Sequence, residues 1–124
     1  MREIKFRYTV KRESGYVFSR IFTISEIEIG EVIVWANANV VDLDRVNREQ
    51  FTGLLDKNGR EIYEGDAVKW YINSRAYLGL VEYVDRFGGF DMRNPGRDGY
   101  VCNDWLRGEY EVIGTIHENP ELLS

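Results

Sequence analysis

Thr52-Gly53-Leu54-Leu55-Asp56-Lys57-Asn58-Gly59-Arg60-Glu61-Ile62-Tyr63-Glu64-Gly65-Asp66-Ala67-Val68-Lys69-Trp70 is the stretch with the most local information in the chain. Two turn signals, Asp56-Lys57-Asn58-Gly59 and Glu64-Gly65-Asp66, punctuate short apolar runs. Asn58-Gly59 marks a hairpin, because Asn and Gly tolerate the positive φ that a tight β-turn demands. Gly65-Asp66 followed by Ala67-Val68-Lys69-Trp70 reads as a turn feeding a strand. The stretch thus specifies a β architecture and names no reaction.

Downstream, Ala67 to Ile72 and Leu78 to Val84 read as strands around the Asn73-Ser74-Arg75-Ala76 connection. Gly88-Gly89 ends the second strand and starts a short one at Phe90. Asn94 to Gly99 has the composition of an exposed loop, Glu109 to Ile116 is the last strand, and Pro120 closes it before Glu121-Leu122-Leu123. Upstream, Ile4, Phe6, Tyr8 and Val10 alternate with charged residues, the period of a half-buried strand. Glu13-Ser14-Gly15 supplies a turn, and Tyr16 to Phe22 is the partner strand of a first hairpin. Ile24 to Gly30 fits a strand or one helical turn equally, while the β-branched Val32-Ile33-Val34-Trp35 reads as a strand. Asp42 to Phe51 is the best helical window, with Asp42 as N-cap and Leu43, Val46 and Gln50 on one face. A strand from Asn47 to Leu54 competes with it.

This spacing of short strands and turns predicts one mainly β domain over residues 1–124 with little helix. A small, partly open SH3-like barrel is expected over residues 51–124. Residues 1–50 add an N-terminal hairpin and a variable segment.

Thr52-Gly53-Leu54, Asp56-Lys57-Asn58-Gly59, Ile62-Tyr63-Glu64-Gly65-Asp66, Val112-Ile113-Gly114 and Glu118-Asn119-Pro120-Glu121-Leu122-Leu123, with the opening Met1-Arg2-Glu3-Ile4-Lys5-Phe6-Arg7, resemble the signature of the YopX-like family of phage and prophage proteins. The matches touch both ends and the middle of the chain. Departures lie at Tyr8-Thr9-Val10 and over residues 24–50 and 72–108. What the resemblance implies is a small β-rich protein of phage or prophage origin, acting in the bacterial cytoplasm; it brings no catalytic residues to carry over.

At 124 residues, with 44% apolar, 30% charged and 14% aromatic residues, the chain has the composition of a globular domain able to bury a core of its own. A single cysteine, Cys102, excludes an internal disulfide framework and suits a reducing compartment. No apolar run is long enough to span a membrane, and no signal-peptide pattern opens the chain. The net charge of −5 is uneven: residues 1–20 carry six basic against two acidic residues, 21–66 four against ten, and 67–124 six against nine. Arg2, Lys5, Arg7, Lys11 and Arg12 read as the solvated face of the first strand.

Candidate chemistry is sparse. The carboxylate pairs Asp42/Asp44, Glu61/Glu64 and Glu109/Glu111 read as surface charge, since a general acid needs an apolar pocket to raise its pKa. Asp56 and Asn58 read as turn residues, because the remaining ligands of a calcium loop are missing. Cys102 and His117 form a weak nucleophile–base pair on spacing alone. No phosphate loop or serine nucleophile motif occurs, and no cofactor is implied. Arg86, Phe87, Phe90, Arg93, Arg97, Tyr100 and Trp105 interleave arginine with aromatics, a mixture that stacks bases and contacts phosphates in single-strand binders. Alternatively Phe87, Phe90 and Trp105 fill the barrel core while the arginines pair with Asp85, Asp91, Asp98 and Asp104. Asn58, Gly59, Gly65 and Asp66 are structural turn residues. The expected function is a non-enzymatic module that binds a phage or host protein and itself as a homo-oligomer, with nucleic-acid binding through residues 86–107 as the alternative.

Overall fold

The computed structural model describes residues 3–42, 45–72, 75–84, 89–93 and 109–123. The chain falls into two compact units, residues 1–51 and 52–124, with the boundary inside a strand. The fold is mainly β, two four-stranded antiparallel sheets with few helices. In the order of hydrogen-bonded neighbours these are β2-β1-β3-β4 and β7-β6-β5-β8.

In the first unit, β1 (Lys5–Lys11) and β2 (Val17–Thr23) form the expected hairpin, with Lys5 opposite Thr23 and Lys11 opposite Val17. Gly15, at φ 92°, turns the chain between them. β3 (Val46–Leu55) lies antiparallel on the other side of β1, Phe6 opposite Gln50 and Val10 opposite Val46. Two short helices follow β2, α1 (Ile24–Glu28) and α2 (Glu31–Ala38). Tyr8, Val10 and Phe22 of the sheet pack with Val32, Trp35 and Ala36 of α2 as one core. Phe22 meets Tyr8 and Trp35 edge to face, at 5.4 and 5.6 Å between ring centroids.

Three expectations need correction here. Val32-Ile33-Val34-Trp35 is helix, not strand: Val32, Trp35 and Ala36 share one helical face, and burying them together outweighs β propensity, a preference of only about 1 kcal/mol across its scale. Of the helical window from Asp42 to Phe51, Val46 to Phe51 is strand, because its backbone pairs with β1 and continues as β3, as the competing strand from Asn47 to Leu54 expects. The basic face of β1 is not solvated throughout. Arg7 Nε donates to Glu49 Oε1 at 3.0 Å, the Thr9 hydroxyl donates to the same oxygen at 2.9 Å, and both Thr9 and Glu49 are buried. Lys5 lies 4.8 Å from the centroid of the Phe51 ring.

The second unit holds the end of β3, then β4 (Glu61–Tyr63), β5 (Asp66–Ile72), β6 (Arg75–Val84), β7 (Gly89–Arg93) and β8 (Glu109–Thr115). A 3-10 turn over Pro120–Leu123 ends the described chain. β5 is central, pairing with β6 on one side and β8 on the other. The β5–β8 register shifts between Ala67 and Val68, where Gly114 and Val112 are the successive partners. Such a shift bends a strand, which fits the expected partly open barrel better than a closed one. Ile62, Val68, Trp70, Val81, Phe90, Met92, Tyr110 and Val112 form the core of this unit. Gly79 makes room for it: a Cβ there would stand 2.8 Å from the Cβ of Met92.

Both turns of the opening stretch are present, with one change. Gly59 alone has positive φ (81°), while Asn58 does not. The Gly59 N–H donates to the Asp56 carbonyl at 3.0 Å, and the Asp56 N–H donates to the Arg60 carbonyl at 2.8 Å. This is a three-residue loop with one left-handed glycine, which needs only Gly59 to adopt that conformation. At the second turn Gly65 has φ 87°, its N–H donates to the Val81 carbonyl at 2.9 Å, and its carbonyl accepts from Ile116 at 2.9 Å. Asp66 is buried and its Oδ2 accepts the Tyr63 N–H at 2.8 Å.

Candidate functional site

The residues singled out for chemistry separate into turns, core and surface. Asp56 is a clamp: Oδ1 accepts the N–H groups of Asn58 (2.8 Å) and Arg60 (2.9 Å), and Oδ2 accepts that of Val112 on β8 (3.0 Å). Burial pushes its carboxyl up, but the Val112, Arg60 and Asn58 donors and the Arg60 charge together outweigh burial and hold it below the ordinary aspartate value. A carboxylate so occupied by backbone serves the turn rather than a cation. Among the described residues no group of three or more His, Cys, Asp or Glu side chains is placed to hold a metal ion. Glu61 accepts a hydrogen bond from the Tyr63 hydroxyl at 3.1 Å, and Glu111 lies 3.8 Å from Lys57 Nζ.

Of the arginine–aromatic set, Phe90 belongs to the core of the second unit, edge to face with Tyr83 at 5.3 Å. It is therefore not presented for stacking on a base. Arg93 Nε donates to Glu82 Oε1 at 2.7 Å across the β6–β7 pair. Arg86, Phe87, Arg97, Tyr100 and Trp105 lie outside the described residues, as does Cys102.

The surface that sequence reading missed is in the first unit. Thr23 opens α1 with a capping box, its hydroxyl accepting the Glu26 N–H at 3.3 Å and its own N–H donating to Glu26 Oε1 at 2.9 Å. The Thr23 N–H first, then the Thr23 hydroxyl, hold the Glu26 carboxyl below its ordinary value. Gly30, at φ 86°, lets α2 start immediately after Ile29. Because α2 buries only the Val32/Trp35/Ala36 face, it leaves Ile33 and Val34 outside; they are 54% and 69% exposed, and Ile29 is 74% exposed. Of these three, Val34 borders a groove of about 500 Å³, lined with it by Arg20, Glu31, Trp35, Ala38 and Asn39.

α2 ends in a Schellman motif, the Val41 N–H donating to the Ala36 carbonyl at 2.9 Å and the Val40 N–H to that of Asn37 at 3.1 Å. The motif needs a left-handed residue, usually glycine; here it is Val40, at φ 54° and 88% exposed. A β-branched residue in that region is strained, at a cost of roughly 1–2 kcal/mol. Arg12 supports the turn by donating to the Asn39 carbonyl at 2.9 Å, and its guanidinium lies 5.1 Å from the Phe18 ring centroid. Since the Val40 side chain contributes no buried contact to offset the strain, Val40→Gly is expected to raise stability by about 1 kcal/mol. Urea denaturation with an unchanged slope measures it, and a destabilised variant would refute the strain.

Fold and surface together define the class: a mainly β protein of two antiparallel sheets, whose helical connection leaves apolar side chains in solvent. The chain matches the model of the YopX protein family over residues 5–124 and belongs to that family. It is also similar to the protein EF1440 from Enterococcus faecalis, known from a crystal structure, at 26% identity and a TM-score of 0.55 over all of both chains. No curated protein matches it. At two glycines of the stretches quoted above, backbone geometry explains the residue. Gly53 is left-handed (φ 88°) within β3, flanked by Thr52, whose hydroxyl donates to the Ile62 carbonyl at 2.7 Å and accepts the Leu54 N–H at 3.1 Å. Gly114 leaves the space that the Asn119 side chain occupies. No helix among the described residues is long and apolar enough to cross a membrane.

Proposed function

We propose that this chain is a non-enzymatic binding protein of phage or prophage origin, acting in the bacterial cytoplasm, which associates with itself and with a phage or host protein. The observation that carries the reading is the exposure of Ile29, Ile33 and Val34 in and before α2, with Val34 also lining the Trp35 groove. Apolar side chains gathered on a surface are a recurring feature of protein contact sites. Asp56 and Glu26, whose carboxyls are held below the ordinary value, serve a turn and a helix cap.

The test is capture by the tagged full chain from a lysate of phage-carrying bacteria, with and without nuclease, set beside the double variant Ile33→Lys, Val34→Lys. Both positions are exposed, so the variant keeps the fold. The expected result is a protein retained after nuclease by the wild type and reduced at least about tenfold by the variant, as loss of central apolar contacts produces. Equal capture by the two would overturn the surface. Nucleic acid in the eluate, with proteins lost on nuclease treatment, would replace this reading by nucleic-acid binding through residues 86–107.

A further inference from the structure

We propose that two copies of this chain pair through the outer edge of β2, antiparallel about a two-fold axis at Ser19, joining their sheets across the copies. The inference rests on the self-association in the reading above and gives it a surface and a register.

β2 stands last in its sheet and carries seven residues, Val17-Phe18-Ser19-Arg20-Ile21-Phe22-Thr23. It carries no proline, lysine or bulge, and Arg20 is its one charged side chain. Its hydrogen-bonding phase follows from the hairpin. The Arg12 N–H donates to the Tyr16 carbonyl at 2.8 Å, continuing the β1–β2 register. Antiparallel strands alternate between bonded and non-bonded pairs, so Tyr16, Phe18, Arg20 and Phe22 direct their backbone groups to β1. Val17, Ser19, Ile21 and Thr23 direct theirs outward. Thr23 supports this assignment, since its outward N–H is the one taken by Glu26 Oε1. Among the described residues three outward rungs are left: Val17, Ser19 and Ile21.

The pattern selects both the partner and the register. An axis at Ser19 sets Ser19 against Ser19 and Val17 against Ile21 of the other copy, which uses all three rungs. Centring on Arg20 would set Val17 against the capped Thr23 and two arginines against each other. Centring on Ile21 would set Ser19 against Thr23. In the Ser19 register Arg20 stands opposite Phe18 of the partner, a cation beside an aromatic ring, as it already stands 5.1 Å from its own Phe22. The exposed Ile21 gains an apolar neighbour in Val17. Charge agrees. Residues 1–51 hold eight basic and eight acidic residues and are formally neutral, whereas residues 52–124 hold eight against thirteen and carry the whole net charge of −5. Joining at β2 therefore brings neutral units together.

Light scattering on the full chain is expected to give twice the 14.5 kDa chain mass at high micromolar concentration. Ser19→Pro removes an outward donor without touching the bonds to β1, so it should halve the mass while leaving the circular dichroism unchanged. In a Cys102→Ser background, Ser19→Cys should cross-link on oxidation, because bonded antiparallel pairs have Cα atoms about 5.5 Å apart, within disulfide reach. Ile21→Cys should not, since it faces Val17. A monomeric wild type would overturn this inference and the self-association together. A dimer that survives Ser19→Pro, or that cross-links equally through Ile21→Cys, would overturn the β2 edge alone and leave self-association at another surface. Should Ser19→Pro fail to fold, the two cysteine variants decide. Capture of a different protein, lost in Ser19→Pro while the wild type stays monomeric, would assign the edge to a foreign strand and overturn the pairing of copies.

Discussion

Asp56→Ala is expected to lower stability by about 3 kcal/mol, because it strips a charged acceptor from three backbone donors: the Val112 bond is buried and costs roughly 1–3 kcal/mol when left unmet, while the part-buried Asn58 and Arg60 bonds contribute about 0.5–1 kcal/mol each. The donors belong to Asn58, Arg60 and Val112, so the loss should appear both in the 56–60 turn and in β8. Amide exchange at those three residues should accelerate more than in the hairpin of the first unit. Asp56→Asn should recover part of the loss, since one of its two acceptor oxygens is replaced by an NH₂ group. The pH dependence has a fixed sign. A carboxyl whose native pKa is depressed contributes in full above the ordinary aspartate value, loses that contribution as the pH falls below it, and contributes nothing below its native value. The acid limb of the wild-type stability curve should therefore contain a component that Asp56→Asn lacks. A loss below about 1 kcal/mol for Asp56→Ala, no more than an ordinary single hydrogen bond contributes, would show that the turn is held by other bonds.

Trp35→Ala should cost about 3–5 kcal/mol, the range for deleting a large aromatic from a core. Its ring is edge to face with Phe22 at 5.6 Å and with Phe18 at 5.8 Å, so a cavity opens on both sides. The eight residues of α2 fall short of the roughly 12–15 that give even marginal helicity in isolation, and three of them are β-branched. Packing on the sheet is what keeps Glu31–Ala38 helical. The variant should thus lose helical signal in the far ultraviolet ahead of strand signal, and with it the groove and the Ile33/Val34 surface. Trp35→Phe should retain both. If Trp35→Ala unfolds with the same midpoint as the wild type, α2 does not depend on that ring.

These variants separate what local sequence can specify from what it cannot. Asn58-Gly59 and Gly65-Asp66 are legible because a glycine at a positive-φ position announces itself, and the first hairpin because Phe6, Tyr8 and Val10 alternate with charges. Val32-Ile33-Val34 misleads because β-branching is a local preference, whereas the helix is settled by Val32, Trp35 and Ala36 meeting Tyr8 and Phe22 from another part of the chain. The i, i+3, i+4 spacing of Val32, Trp35 and Ala36 just after Gly30 is the helical signal the sequence carries. At Asp42 to Phe51 a helical period and a strand were both readable, and pairing with β1 decided between them. Phe90 shows the same limit, since an aromatic among arginines looks like a stacking platform until its burial is known. Which strand ends a sheet is set by strand order, so the open edge of β2 has no local signature.

The hold on Gly59 also bears on how the chain ages. An Asn-Gly dipeptide deamidates when the glycine nitrogen attacks the asparagine side-chain carbon to close a succinimide. In the folded protein the Gly59 N–H is engaged with the Asp56 carbonyl, and the backbone around it is locked by the Asp56 carboxylate. That geometry withholds the nucleophile, so chemical damage at Asn58 accrues chiefly in molecules that have opened, and the rate of its appearance in stored protein becomes a clock for opening of the 56–60 turn.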